Sequence, residues 1–284
     1  MPAPQNVVAV IFDFDDTLTE DSTSLLLEHH GVDADAFWKQ RVNALVDDGW
    51  DSALAWMYAL LEEVEPGKAL EGLSNAALRA FGGGLETYAG LPELFGDLRT
   101  ITAAFPESAP SVEFYIISGG LEEIIRGSSI AHEFRGIRAG KLWENKTGVV
   151  SRIKTAVNYT GKTRYLFEIN KGLLIDGEEK PFAVNEHVPE SDRRVPFENM
   201  IYVGDGLTDV PSFSLVKARG GIAFGVVDPS RLSKARKAWE KLVAPERVKA
   251  VCEPKYGETD LLGRLLRLAV EDVCARIEMR SQMP

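Results

Sequence analysis

Asp13 and Asp15 stand two residues apart where the apolar run Val7 to Phe12 stops. That run is short, β-branched and apolar throughout, the pattern of a parallel strand covered on both faces, so the two carboxylates are predicted at a strand's carboxyl end. One carboxylate there can attack phosphorus while its neighbour protonates the departing alkoxide, two tasks that phosphate-ester cleavage needs at one centre. Taken alone, acids after a strand are as often a solvated turn or a helix cap.

Two further segments change that balance. Gly204-Asp205-Gly206-Leu207-Thr208-Asp209 is a second acidic turn behind a second apolar strand, Met200 to Val203. Magnesium prefers hard oxygen ligands, so Asp13 with one or two carboxylates of this turn could hold it and screen the repulsion between an anionic nucleophile and a phosphate. Ser118-Gly119-Gly120 follows the strand Phe114 to Ile117. A hydroxyl and unhindered backbone N–H groups at a helix start make a receptor for phosphate oxygens, although a serine helix cap has the same signature.

The elements that must position these residues alternate between strands and helices. Residues 22–88 read as helices, with Phe37, Val42, Leu45 and again Leu54, Met57, Leu60, Leu61 at helical spacing, and breaks at Gly49, Pro66-Gly67 and Gly82 to Gly84. A helix from Pro92 to Ala104 and the strand Phe114 to Ile117 resume the alternation, followed by a helix over Leu121 to Arg126. Residues 136–160 hold short alternating segments that suggest a small β excursion, and a helix is expected from Lys162 to Ile169. The charged stretch 176–194 reads as an exposed loop, Gly221 to Val227 as a strand, and residues 230–242 and 260–279 as two terminal helices. This is an α/β pattern, a doubly wound parallel sheet whose ligands bind beyond the carboxyl ends of the strands. The expected division is a catalytic core of residues 1–21 and 89–284 with a smaller helical cap, 22–88, inserted after the first motif.

Composition narrows the partners. A net charge of −11 over 284 residues repels nucleic-acid phosphates and anionic membrane surfaces, so neither is an expected partner. Val7 to Phe12 lacks a preceding basic region, and no stretch reaches the roughly 20 apolar residues of a membrane span. Cys252 and Cys274 form neither a metal-ligand pair nor a disulfide framework, which suits a reducing cytoplasm. His29, His30 and His132 lack ligand spacing, the Asn-x-Thr matches at Asn145 and Asn158 read as chance, and Arg193-Arg194 reads as solvated loop. Trp38, Trp50, Trp56 and Tyr58 are expected in the core of the helical segment, with one of them a candidate to face a substrate.

In order and context, Asp13-x-Asp15-x-Thr17, Ser118 and Gly204-Asp205 with Asp209 resemble the haloacid dehalogenase superfamily, whose pattern is Asp-x-Asp-x-Thr, Ser or Thr after a strand, Lys, then Gly-Asp with a further Asp. Ser-Gly-Gly and Gly-Asp-Gly look most like its phosphoserine phosphatase branch, and the helical insert resembles that family's C1 cap. The resemblance implies a magnesium-dependent phosphatase. In it Asp13 is nucleophile and metal ligand, and Asp15 is the acid that becomes the base. The Asp15 carbonyl, Asp205 and Asp209 complete the metal site, and Phe14, Thr17, Ser118, Gly119 and a lysine serve the phosphate. Lys162, at a helix start, is the favoured lysine, with Lys154 and Lys171 competing. The substrate would be a small phosphorylated metabolite; a phosphomutase, a phosphonatase using Lys39 or Lys68, and a catalytically silent phosphate-binding module are the alternatives. In the phosphoserine branch a Glu nine residues beyond the nucleophile meets the substrate ammonium, and Ser22 stands there, with Glu20 and Asp21 nearby.

Overall fold

The computed structural model describes residues 5–282 apart from 176, 178, 179, 181, 231–235 and 237. β1 (Val7–Phe12) lies at the centre of a seven-stranded sheet. It pairs in parallel with β2 (Ser111–Leu121) through Phe12 and Ile116. Beyond β2 lie β3 (Phe134–Glu144) and β4 (Val150–Thr155); on the other side of β1 lie β5 (Met200–Gly204), β6 (Ile222–Val226) and β7 (Ala250–Cys252). Among the described strands, only the β3–β4 pair is antiparallel. The doubly wound parallel sheet is therefore the observed architecture.

The unbroken apolar reading of β1 has a direct cause. Val8, Val10 and Phe12 point into one core with Leu94, Phe95 and Leu98 of the helix Leu91–Ala103 and Leu266, Val270 and Val273 of the C-terminal helix Leu261–Ser281. Val7, Ala9 and Ile11 point into the other, with Leu166 and Ile169 of the helix Tyr159–Lys171 and Phe213 and Val216 of the helix Val210–Ala218. A strand buried on both faces has no solvent side to make polar.

Between β1 and the helix Leu91–Ala103 the chain is helical, in Ser22–His29, Ala34–Ala36, Asn43–Asp47, Ser52–Glu62 and Asn75–Gly83. A π-type turn, Phe37–Val42, joins the second and third. Their apolar faces enclose a third cluster, including Leu26, Phe37, Trp56, Met57 and Leu60, that also takes in Leu142 of β3 and Val150 of β4.

The structure refines several expectations. The run Gly82 to Gly84 ends the helix Asn75–Gly83 as expected, and Gly82 has a second role: a Cβ there would lie 2.0 Å from the Ile124 carbonyl oxygen, and one at Gly127 would lie 1.9 Å from that of Arg79, so these glycines let two helices touch. The β excursion expected within residues 136–160 is the antiparallel pairing of Lys141–Glu144 with β4, but it continues a main-sheet strand, since the first part of β3 pairs with β2. β2 runs on through Ser118, and the next helix, Glu122–Gly127, starts a residue later than expected. β7, three residues long, carries no alternation signal and was not anticipated. Of the helix expected over 230–242, residues 231–235 and 237 lie outside the described residues, and Trp239–Val243 is a π-type turn.

Candidate active site

The strand order β2-β1-β5 brings the three motifs side by side at the carboxyl ends, where the chain switches from one half of the sheet to the other. The Asp13 amide donates to the Val203 carbonyl at 2.9 Å, which ties the end of β1 to the end of β5. The next residues fold back at once: the amides of Thr17 and Leu18 both donate to the Phe14 carbonyl, at 3.2 and 2.8 Å. Asp16 takes φ +52°, a left-handed conformation that Asp adopts more readily than most residues.

Lys162 is the centre of the charge network. Asn158 caps its helix, accepting from the Gly161 amide at 2.8 Å, and so aims the first turn at the strand ends. The ammonium donates to Asp13 Oδ2 at 2.6 Å and to Asp209 Oδ1 at 2.7 Å, with the lysine only 1% exposed. Burial opposes the ammonium, but the Asp13 and Asp209 charges outweigh it and hold Lys162 protonated. Asp209 Oδ1 also accepts from the Tyr202 hydroxyl at 2.7 Å. Gly204 is required beside it, since a Cβ there would sit 2.3 Å from Asp209 Oδ2.

Asp13, Asp205 and Asp209 offer carboxylate oxygens within 4.8 Å of one another. Three carboxylates against the single ammonium of Lys162 leave two negative charges unbalanced, and all the donors are hard oxygens. The residues fit a divalent cation such as Mg2+. The strain of the like charges shows in the titration: burial pushes Asp13 up to about 6 against the pull of Lys162, and burial with the Asp13 and Asp209 charges pushes Asp205 well up.

Asp15 belongs to a different environment. Its Oδ1 accepts from the Ser22 amide at 2.8 Å, and Gly120 leaves room for its other oxygen. Desolvation, then the nearby Asp21 charge, raises it to about 8, so its neutral form prevails at pH 7, and only that form can give up a proton. Ser118 is fully buried, and its hydroxyl accepts from the Gly120 amide at 3.0 Å. A cavity of about 440 Å³ opens over these groups, walled by Asp15, Ser118, Gly119 and Lys162 below and by Trp38 and Trp56 above.

The chain is 32% identical over 236 residues to an uncharacterised protein of Borreliella burgdorferi, covering 75% of this chain and 79% of that one. It belongs to one family with that protein. No protein-family model matches. A haloacid dehalogenase family hydrolase from Salmonella enterica serovar Typhi aligns with a TM-score of 0.58 and 18% identity over 96% of this chain and 72% of that one. A probable phosphoserine phosphatase from Vibrio cholerae aligns at 0.56 and 14% identity, over 97% and 68%. The fold is that of the haloacid dehalogenase superfamily.

Within this haloacid dehalogenase fold the structure separates the lysine candidates. Lys154 is exposed on β4, and Lys171 donates to the carbonyls of Val184 and Glu186, so only Lys162 reaches the aspartates. The Phe14 ring is buried in the core; what it brings to the site is its amide, 2.7 Å from Asp13 Oδ1. Thr17 is buried, and its carbonyl accepts from the Tyr256 hydroxyl at 2.7 Å. Lys39, paired with Asp35 at 2.7 Å, and Lys68 are exposed and do not line the cavity.

Of the aromatic residues, Trp50 and Tyr58 depart from expectation: they stack on each other at the surface, 39% and 38% exposed, with centroids 4.8 Å apart. Arg194 is no solvated loop residue, since both its terminal nitrogens grip Glu113 of β2. Tyr202, Tyr256 and the Ser22 amide carry no sequence signal, because a buried tyrosine, whether in β5 or in the segment after β7, and a helix's first amide form no motif. Asn158, dismissed as a chance glycosylation match, caps the Lys162 helix and donates to Asp51, the cap of the helix Ser52–Glu62, at 3.1 Å.

Proposed function

We propose that this protein is a magnesium-dependent phosphatase that hydrolyses a small phosphomonoester. The observation that carries the reading is the convergence of Asp13 and Asp209 on the Lys162 ammonium, with Asp205 close enough to share one cation and Asp15 set apart on its own partners. In this reading Asp13 attacks phosphorus, the bond from phosphorus to the ester oxygen breaks, and a phosphoaspartate forms. Asp15 gives its proton to the departing alkoxide. Its carboxylate then takes a proton from a water that attacks the phosphoaspartate, which releases inorganic phosphate and restores Asp13.

Ser118 with the Gly119 amide, and Lys162, bind the phosphoryl oxygens and stabilise charge in the transition state. Asp13, Asp205 and Asp209, with the Asp15 backbone carbonyl, would hold Mg2+, which when bound supplies positive charge that screens carboxylate from phosphate. Residues 22–88 act as the cap that selects the alcohol, and the substrate is a metabolite of the cytoplasm. Release of inorganic phosphate from para-nitrophenyl phosphate, present with magnesium and lost with a chelator, tests the reading; turnover indifferent to the chelator counts against it.

A further inference from the structure

The cavity above the aspartates is uneven in charge. Asp13, Asp15, Asp16, Asp21 and Asp205 all border it. Among the described residues that line it Lys162 is the one cation, and its ammonium is held between Asp13 and Asp209. The helical segment contributes Trp38, Val42, Val46, Ala53 and Trp56, interrupted by the uncharged polar side chains of Asn43 and Ser52. The Trp38 indole N–H donates to Ser24 Oγ at 2.8 Å, which fixes that ring with its polar edge already satisfied. Trp56 stands 6.3 Å from it, centroid to centroid, at 50°.

Resting on the phosphatase reading, we infer that the alcohol released here carries no anionic substituent and meets Trp38 and Trp56 through an apolar or cationic group. A carboxylate or second phosphate on the alcohol would leave water without a cation to receive it and would face Asp16 and Asp21. An uncharged apolar group loses nothing on entering and covers the indole faces. A quaternary ammonium gains further, because ring faces attract cations and Asp21 supplies the opposite charge. Phosphoserine is disfavoured on the same ground: Asp21 suits its ammonium, but among the described lining residues its carboxylate meets no cation other than Lys162, which is held by Asp13 and Asp209.

Three esters of similar size separate these terms: phosphocholine, its uncharged isostere dimethylbutyl phosphate, and phosphoglycolate. With magnesium, kcat/KM for the first two exceeds that for phosphoglycolate by about tenfold or more, the worth of one charge-assisted hydrogen bond. Asp21→Asn, which keeps the helix cap but also alters the field at Asp15, is read as a ratio: kcat/KM for phosphocholine relative to dimethylbutyl phosphate falls by about tenfold, whereas an unchanged ratio removes Asp21 from recognition of the cation. Val46→Arg, at an exposed helical position on the cavity wall (38% exposed), raises kcat/KM for phosphoglycolate by about tenfold. Phosphoglycolate matching or exceeding the other two while para-nitrophenyl phosphate is turned over overturns this inference alone. No turnover of any ester, para-nitrophenyl phosphate included, overturns the phosphatase reading beneath it.

Discussion

Gly120 makes room for Asp15: a Cβ at residue 120 would stand 2.3 Å from Asp15 Oδ2. The backbone of β2 thus sets where the carboxyl of the β1 loop can lie. Gly120→Ala is expected to push Asp15 aside while the sheet survives, and a misplacement of about 1 Å costs on the order of a hundredfold in rate. Steady-state kcat beside a thermal melt checks this; unchanged kcat would mean that Asp15 need not sit there.

Asp15→Asn is expected to fold and to keep its metal affinity, since the backbone carbonyl survives, yet to lose about a hundred- to ten-thousand-fold in turnover with the proton transfer. An aryl phosphate, whose leaving group needs less protonation, should lose less than an alkyl phosphate. Equal losses on both would remove Asp15 from the acid role.

The central strand and the order of the motifs were legible because a doubly buried strand and its terminal acids leave a dense local signal, in Val7–Phe12 and Asp13 as in Met200–Gly204 and Asp205. The choice of Lys162 rested on helix position, and its Asn158 cap gives that choice a physical basis. What stayed hidden depends on contacts remote in sequence. Gly82 belongs to a helix-ending glycine run, but its close packing against Ile124 leaves no local signal, and Arg194 looks solvated until Glu113 meets it 81 residues away. Trp50 and Tyr58 satisfy each other outside the core, and composition cannot reveal such a pairing.

Gly82→Ala should destabilise the protein by about 1–3 kcal/mol, because the added methyl overlaps the Ile124 carbonyl where two helices cross. Gly84→Ala is the control: its Cβ would meet only the Phe81 carbonyl, at an ordinary 3.5 Å, and stability should move by about 0.5 kcal/mol or less. Denaturant melts of the two variants make the comparison, and equal midpoints would remove the close-crossing explanation.

Glu113 of β2 holds Arg194. Burial pushes its carboxyl up, but hydrogen bonds from Arg194 and Tyr115 and the charges of Arg194 and Arg135 outweigh that and leave it below the usual range. A depressed carboxyl stabilises the fold above its unfolded value of about 4.3, and that contribution is lost as pH falls through the folded value. Glu113→Gln is therefore expected to cost about 1–2 kcal/mol at pH 7 and progressively less below about pH 4. A cost that grows in acid has the wrong sign for this account.

The central claim, covalent catalysis by Asp13, is tested most directly by rapid acid quench of the protein turning over a phosphate ester labelled in its phosphoryl group, with magnesium present, followed by mass spectrometry of the peptide containing residue 13. The account predicts label on Asp13 in the wild type, and in Asp13→Asn neither label nor release of inorganic phosphate. Phosphate release by Asp13→Asn at near wild-type rate, or label on another residue with Asp13 unmodified, would contradict it.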